Sequence, residues 1–338
     1  MFDETNFIPA LPRFRLTALP TPLDRAVRLE ARLRSEGGRP PRIYIKRDDL
    51  LSLAMGGNKI RNLEFSIGAA IEAGATDVVT LGRAQSNHCR LTAAACAKAG
   101  LRAHLVMSGA RPRVSTGNLL LSELLGAQIH FTGADDRVHR DAMARAVAEV
   151  ITRDGGRPHV VPVGGSDARG AIGHALAALE IARQLGETDE HLDAIALATA
   201  TGGTQAGLIA GLRQLGLDAA VHGFSVHRRA DEAAGEVHRL AEEVARLMGA
   251  GGIDRASVRI DDSQLGAGYG VPSAAGQAAI DLLARTEGLL ADPVYTGKAL
   301  AGLLAMIRAG RFEEDAAVVF IHTGGTPALF ADLPATSM

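Results

Sequence analysis

Short runs of β-branched and apolar residues alternate along the chain with longer stretches whose apolar positions recur at helical spacing. The short runs predict strands at 42–46, 77–81, 103–107, 128–131, 159–163, 194–198, 221–226 and 317–321. The longer stretches predict helices at 62–73, 88–99, 116–125, 140–153, 170–185, 204–215 and 273–286. Strands alternating with helices imply parallel sheets flanked by helices, an α/β fold. The run Ala194-Ile195-Ala196-Leu197-Ala198 is apolar without alternation, as a strand covered on both faces should be. Residues 34–41 (RSEGGRPP), Gly164-Gly165-Ser166 and residues 249–252 read as loops. A domain boundary is expected near Gly164, and no internal repeat is visible.

Composition narrows the partners. A chain of 338 residues with a net charge of −2 makes one large or two medium domains and lacks the basic excess of nucleic-acid or membrane-surface binders. The opening MFDETNFIPALPRFRL has no basic stretch leading into an apolar one, so no signal peptide is expected. No apolar run approaches the roughly 18–20 residues of a membrane span. Cys89 and Cys96 cannot build a disulfide framework, which makes a reducing cytoplasm the expected setting. The 11 histidines form no HxxxH or HExxH pattern, so no metal site is expected. Of 36 basic residues only Lys46, Lys59, Lys98 and Lys298 are lysine. Coding bias explains the skew, but it leaves just these side chains for chemistry that needs a primary amine.

Four sets of loops could carry chemistry. Gly56-Gly57-Asn58-Lys59 opens a helix, where the positive end of the dipole lowers an ammonium pKa and suits it to imine formation. Taken alone, it also fits a solvated helix-start lysine. Residues 82–88 (GRAQSNH) join a strand to a helix, with Ser86 or Asn87 as the cap and free N–H groups behind it for a carboxylate or phosphate. Thr199-Ala200-Thr201-Gly202-Gly203-Thr204 places hydroxyls and small residues at a helix start, the makings of a phosphate cradle, although it is neither a P-loop nor GxGxxG. Tyr269 and Tyr295 lie in glycine-flanked loops, and His322-Thr323-Gly324-Gly325 follows the last strand. All these loops follow strands or precede helices, where ligands of open parallel sheets bind.

A phosphate cradle, an imine-forming lysine and a carboxylate-binding helix start together point to pyridoxal 5'-phosphate acting on an amino acid. On these residues the chain resembles the tryptophan-synthase-β-like (type II) pyridoxal-phosphate family, in the branch that holds D-cysteine desulfhydrase, ACC deaminase and L-cysteate sulfo-lyase. The likeness runs from Leu19-Pro20-Thr21-Pro22-Leu23 to Phe330. It is carried by Ile45-Lys46-Arg47-Asp48-Asp49, Gly56-Gly57-Asn58-Lys59, Gln85-Ser86-Asn87-His88, residues 161–166 (VPVGGS), Gly268-Tyr269-Gly270, residues 290–299 (LADPVYTGKA) and residues 321–325 (IHTGG). The resemblance implies a two-domain type II fold with mostly parallel sheets flanked by helices and the cofactor between the domains. Residues 1–53 plus 162–338 would form the large cofactor-binding domain and residues 54–161 the small one. It implies a cytoplasmic homodimer with a small amino-acid substrate.

Roles follow position by position. Lys59 would bond the cofactor covalently, Asn87 would reach its phenolic oxygen, residues Ala200, Thr201, Gly202, Gly203 and Thr204 would hold the phosphate, and Thr323 would face the pyridine nitrogen. Ser86, Asn87 and His88 would bind the substrate carboxylate, with Tyr295 beside the substrate. Lys59, Ser86, Tyr269 and Tyr295 would be the catalytic set. ACC deaminase carries a carboxylate where this chain has Thr296 and reads His-Leu-Gly-Gly where this chain has Thr323, so α,β-elimination from a D-cysteine-like amino acid is the expected reaction. ACC deaminase and L-cysteate sulfo-lyase are the alternatives within the family; a cofactor- or amino-acid-binding protein with little turnover is the alternative outside it. Four positions depart from the family pattern: Asn62 for lysine, Arg83 for a small residue, Asp167 for asparagine and His174 for tyrosine. Arg83 has two readings, replacement of the charge missing at Asn62 or recognition of an anionic substrate side chain.

Overall fold

A computed structural model describes residues 4–332. Its strands are β1 (Leu23–Arg25), β2 (Arg42–Lys46), β3 (Asp77–Gly82), β4 (Arg102–Met107), β5 (Gln128–Phe131), β6 (Pro158–Val161), β7 (Ala194–Thr199), β8 (Ala220–Ser225), β9 (Val258–Asp261) and β10 (Ala317–Ile321). The helices are α1 (Glu4–Phe7), α2 (Val27–Ser35), α3 (Lys59–Glu72), α4 (Asn87–Ala99), α5 (Gly117–Leu124), α6 (Arg137–Arg153), α7 (Ala168–Gly186), α8 (Gly203–Leu215), α9 (Ala230–Met248), α10 (Ala274–Glu287) and α11 (Thr296–Arg308). Every predicted strand and helix is present with small shifts at the ends. The strand expected at 159–163 stops at Val161, because the chain turns at Pro162 into Gly164 and Gly165, both with positive φ. Strands β1 and β9 and helices α1, α2, α9 and α11 lie outside the predicted elements.

The strands form two sheets. One has six strands in the order β1-β2-β10-β7-β8-β9, the other four in the order β5-β4-β3-β6. All neighbours pair parallel except the edge strand β1, which is antiparallel to β2. The central strand β10 reads Ala-Val-Val-Phe-Ile and is buried throughout, since helices cover both faces of its sheet. One face packs on α7, α8 and α9; the other on α2, α10 and α11. The smaller sheet lies between α3, α4 and α5 on one face and α6 on the other. No helix among the described residues is long and apolar enough to cross a membrane.

Helix α3 is the link between the layers, packing on α4 and on α7. Its approach to α7 is close because Gly173 has no side chain: a Cβ there would stand 2.2 Å from the Arg61 carbonyl oxygen. A buried ionic frame fixes the same contact. Arg61 forks onto Asp48 Oδ1 at 2.8 Å and Glu180 Oε1 at 2.8 Å. Lys46 Nζ reaches Glu180 Oε2 at 2.9 Å, the Thr21 carbonyl at 2.7 Å and Gln184 Oε1 at 2.7 Å. Each cation of this frame meets several acceptors, the condition under which buried charge is tolerated.

Candidate active site

The loops after β2, β3, β7 and β10 all leave the carboxyl ends of parallel strands, and they meet in one cleft. It has about 990 Å³ of space counted out to its open mouth. Lys59, the first residue of α3, enters from the side of the ionic frame. The loop before it is held by its own backbone. Gly56 adopts φ +70°, and a Cβ there would collide with the Asp49 carbonyl oxygen at 2.0 Å. Arg90 on α4 donates to the Ala54 and Gly56 carbonyls at 2.7 and 2.8 Å, and the Asn58 N–H donates to the Thr323 carbonyl at 3.1 Å. Lys59 and Thr323 are therefore brought together by main-chain bonds.

Among the described residues the Lys59 amine makes no hydrogen bond or ion pair, unlike the other three lysines. Lys46 is engaged in the frame, Lys98 donates to the Leu16 carbonyl and Lys298 to the Leu265 and Gly268 carbonyls. Burial of the Lys59 amine lowers its pKa to about 8, although the side chain keeps a path to solvent through the cleft.

Facing it, α4 begins at Asn87 with Ser86 as its cap, the Ser86 Oγ accepting from the Cys89 N–H at 3.2 Å. The N–H groups of Asn87 and His88 stay open in the first turn. The Asn87 Oδ1 accepts from Asn118 Nδ2 at 3.0 Å, which turns the Asn87 Nδ2 hydrogens toward the cleft. Thr80 donates to the Val161 carbonyl at 2.9 Å and so accepts from His88 Nε2 at 2.8 Å. That tautomer leaves His88 Nδ1 as a bare acceptor, buried and without a partner. Burial, then the nearby Lys59 charge, lowers the His88 pKa to about 3, so the ring is neutral.

At the far end, Gly202 caps α8 in the left-handed region with φ +86° and no side-chain cap. The open first-turn N–H groups of α8 thus face the cleft with Ala200, Thr201 and Thr204 around them. Gly203 sits behind this turn rather than in the lining, where a Cβ would come 2.8 Å from Ser166 Oγ. Thr204 is tied back to α3 through a neutral relay. Asn58 Nδ2 donates to Thr204 Oγ1 at 2.9 Å, His174 Nε2 contacts Asn62 Oδ1 at 2.8 Å, and Asn62 Nδ2 donates to the Gly165 carbonyl at 3.0 Å. Burial holds the His174 pKa well below the usual imidazole range. Two of the departures from the family pattern, Asn62 and His174, are therefore partners of each other.

Tyr269 and Tyr295 share a hydrogen bond between their hydroxyls, with ring centroids 6.0 Å apart. Burial raises both phenol pKa values, so both are protonated at neutral pH. Lys298 fixes the Tyr269 loop through its two carbonyl contacts. Thr296 is buried against Asp292, donating to its Oδ1 at 2.7 Å, and takes no part in the cleft wall, whereas Thr323 lines it.

Arg83 stands at the mouth, paired with Asp135 Oδ1 at 2.9 Å and 5.7 Å from the centre of the Tyr269 ring. Asn62 is buried and bonded to the Gly165 carbonyl and to His174, without contact to Arg83. Two further cleft residues, Arg140 and His227, escaped the sequence reading. Arg140 reaches the cleft from the first turn of α6, with no local motif to flag it.

The comparisons agree with this geometry. A family described as pyridoxal-phosphate dependent enzyme matches residues 15–324. The chain is 42% identical over 334 residues to D-cysteine desulfhydrases of Salmonella choleraesuis (strain SC-B67) and Salmonella newport (strain SL254), covering 97% of this chain and 98% of theirs. A crystal structure described as an ACC deaminase homologue superimposes with a TM-score of 0.86 at 36% identity, over 95% of this chain and 94% of that one. A pyridoxal 5'-phosphate-dependent aspartate racemase shares the fold at a TM-score of 0.66 and 18% identity, over 91% of this chain and 90% of that one. The chain belongs to the pyridoxal-phosphate dependent enzymes, with the type II fold, in the branch of D-cysteine desulfhydrase and ACC deaminase.

Proposed function

We propose that the enzyme catalyses α,β-elimination on a β-substituted amino acid, D-cysteine foremost, which with water yields pyruvate, ammonia and sulfide. The observation that carries this is the 42% identity to D-cysteine desulfhydrases along nearly the whole of both chains. The division into residues 54–161 and the rest, a homodimeric assembly and a cytoplasmic setting belong to the same reading.

The residues present suit the cofactor. The donor set matches its chemistry: a partnerless primary amine at Lys59, an uncapped helix start at α8 with a glycine cradle, and a hydroxyl at Thr323. Lys59 would hold its aldehyde carbon, α8 with Thr201 and Thr204 its phosphate, Asn87 its phenolic oxygen and Thr323 its ring nitrogen. Bound there, it supplies a sink for the electron pair left when the Cα–H bond breaks.

The chain's own groups account for the rest. The open N–H groups at the start of α4, with Ser86, bind the substrate carboxylate. Lys59, with its pKa lowered to about 8, can take the Cα proton. The protonated Tyr269–Tyr295 pair can give a proton to the departing sulfur. Neutral His88 adds no charge that would compete for the carboxylate. A hydroxyl such as Thr323 favours a protonated ring nitrogen less than a carboxylate would, which suits loss of a good leaving group better than opening a cyclopropane ring.

The test is a panel of D- and L-β-substituted alanines assayed for pyruvate, with ACC assayed for 2-oxobutyrate. Pyruvate from D-cysteine or β-chloro-D-alanine is expected. Turnover of ACC without turnover of thiol substrates would overturn the choice of reaction. Silence across the whole panel would favour a binding protein.

A further inference from the structure

The start of α5 is fastened to the loop that leads into Asn87. Asn118, the second residue of α5, is fully buried behind the cleft wall. Its side-chain nitrogen donates twice, to the Gln85 carbonyl at 3.1 Å and to Asn87 Oδ1 at 3.0 Å. A main-chain carbonyl only accepts, so the Gln85 contact decides which end of the Asn118 amide is nitrogen. That nitrogen in turn decides the Asn87 amide. Its oxygen must face Asn118, and its N–H end faces away, to the cleft that Asn87 lines. The Gln85 side chain locks the arrangement from the other side. Its Oε1 accepts from the Asn118 N–H at 2.9 Å, and its Nε2 donates to the Thr116 carbonyl at 3.0 Å. Gly117 lets the two segments come this close: with φ +54°, a Cβ there would stand 2.6 Å from Gln85 Oε1. The Asn118 Oδ1 is buried with no hydrogen-bond partner among the described residues. Holding the amide by its donor end thus leaves its acceptor unpaired, a cost that an apolar side chain in this place would avoid.

We propose that Asn118 is a positioning residue, which keeps the N–H end of Asn87 on the phenolic oxygen of the cofactor and so holds that oxygen in its anionic form. The assignment rests on Asn87 as the partner of the phenolic oxygen and goes one residue behind it. A hydrogen bond donated to a phenolic oxygen favours its anion, whereas a carbonyl oxygen in the same place favours the protonated phenol. The Asn87 amide can offer either one, by a half-turn about its last side-chain bond. Asn118 excludes that half-turn, because after it two N–H groups would face each other. Asn118 therefore acts only through Asn87, by deciding which end of its amide meets the cofactor.

Absorbance of the resting holoenzyme tests this without turnover. The lysine-bound cofactor absorbs in the visible with its phenol ionised and in the near ultraviolet with its phenol protonated. Asn118→Asp keeps the shape but presents only acceptors to Asn87, so the Asn87 amide should turn its oxygen to the cleft. The ratio of visible to near-ultraviolet absorbance is expected to fall about tenfold or more, the scale of one hydrogen bond to a charged group. Asn118→Leu leaves the amide free to turn and is expected to lower the ratio in part. Asn87→Leu is expected to lower it by itself, and in that background neither Asn118 substitution should lower it further. An unchanged ratio in the Asn118 variants would overturn the proposal, even beside a lower melting temperature, because a merely structural role moves stability alone. A full further drop in the Asn87→Leu background would overturn it as well, since Asn118 would then act without Asn87. Should one Asn118 variant fail to fold, the other decides. An unchanged ratio in Asn87→Leu would sink the placement of Asn87 on the phenolic oxygen, and the proposal with it. A lowered ratio there beside unchanged ratios at Asn118 would sink the proposal alone.

Discussion

The ionic frame beneath α3 and the cleft above it use the same kinds of side chain in opposite ways. In the frame Lys46, Arg61, Asp48 and Glu180 are each engaged by two or more neighbours. In the residues lining the cleft, the Lys59 amine and the buried His88 Nδ1 have no hydrogen-bond partner among the described residues. Unpaired polar groups cost stability, and a fold that satisfies such groups a few ångströms away has the means to satisfy these. The difference marks the ligand side of α3 as one place where polar groups stand unpaired, against a packed side where the four charged groups of the frame are all engaged.

That contrast can be broken most decisively at Lys59. Lys59→Met should lower pyruvate release about 10³-fold or more and remove the absorbance of lysine-bound cofactor. It should leave the melting temperature of the cofactor-free protein no lower, since a desolvated amine gives way to an apolar chain. A marked drop in melting temperature would mean that Lys59 belongs to the frame after all. Arg61→Met should do the opposite, costing about 3–5 kcal/mol in urea unfolding by stranding Asp48 and Glu180. A loss under about 1 kcal/mol would show that the frame does not fix α3.

The pH dependence sharpens the same comparison. Folded Lys59 releases its proton near pH 8, whereas the unfolded chain keeps it to about 10.5. Between those values the unfolded state binds more protons, so the cofactor-free protein should gain stability as pH rises, by at most about 1.4 kcal/mol per pH unit for one proton. Lys59→Met should lack this rise. His88 acts at the acid side: with a folded pKa of about 3, its contribution is present above the unfolded value and is lost as pH falls from about 6.5 toward 3. The smallest effect is expected at the neutral relay, where His174→Phe strips Asn62 Oδ1 of its partner and should cost about 1–3 kcal/mol. Unfolding by denaturant, with cofactor affinity measured alongside, checks whether that loss reaches the phosphate end.

Much of the architecture was legible because buried parallel strands declare themselves. The run at β7 and the Ala-Val-Val-Phe-Ile of β10 need no partner to be recognised as interior. Edge strands do not: β1 (Leu-Asp-Arg) and β9 (Val-Arg-Ile-Asp) are half polar, and only the neighbouring strand makes them strands. Helix α11 starts inside the motif of residues 290–299 that was read as the Tyr295 loop, and its two glycines weaken the helical reading. At the site, the glycine and hydroxyl clusters between strand and helix were readable one loop at a time. What joins them was not. Asn62 and His174 meet across 112 positions, and Arg140 arrives from a helix whose local sequence only says amphipathic. Departures that looked like independent losses are, in space, one exchange of side chains around Thr204.

The distribution of lysines has a practical consequence. Lys46 and Lys298 are sealed inside, Lys59 opens only into the cleft, and Lys98 alone projects from the surface near the end of α4. A bulky amine-reactive dye or an immobilisation resin would therefore find, among the lysines of the native protein, a single handle. A small aldehyde reagent able to enter the cleft would find a second, and cofactor occupancy would close it. The ratio of the two labels would read out loading directly, without a substrate and without turnover.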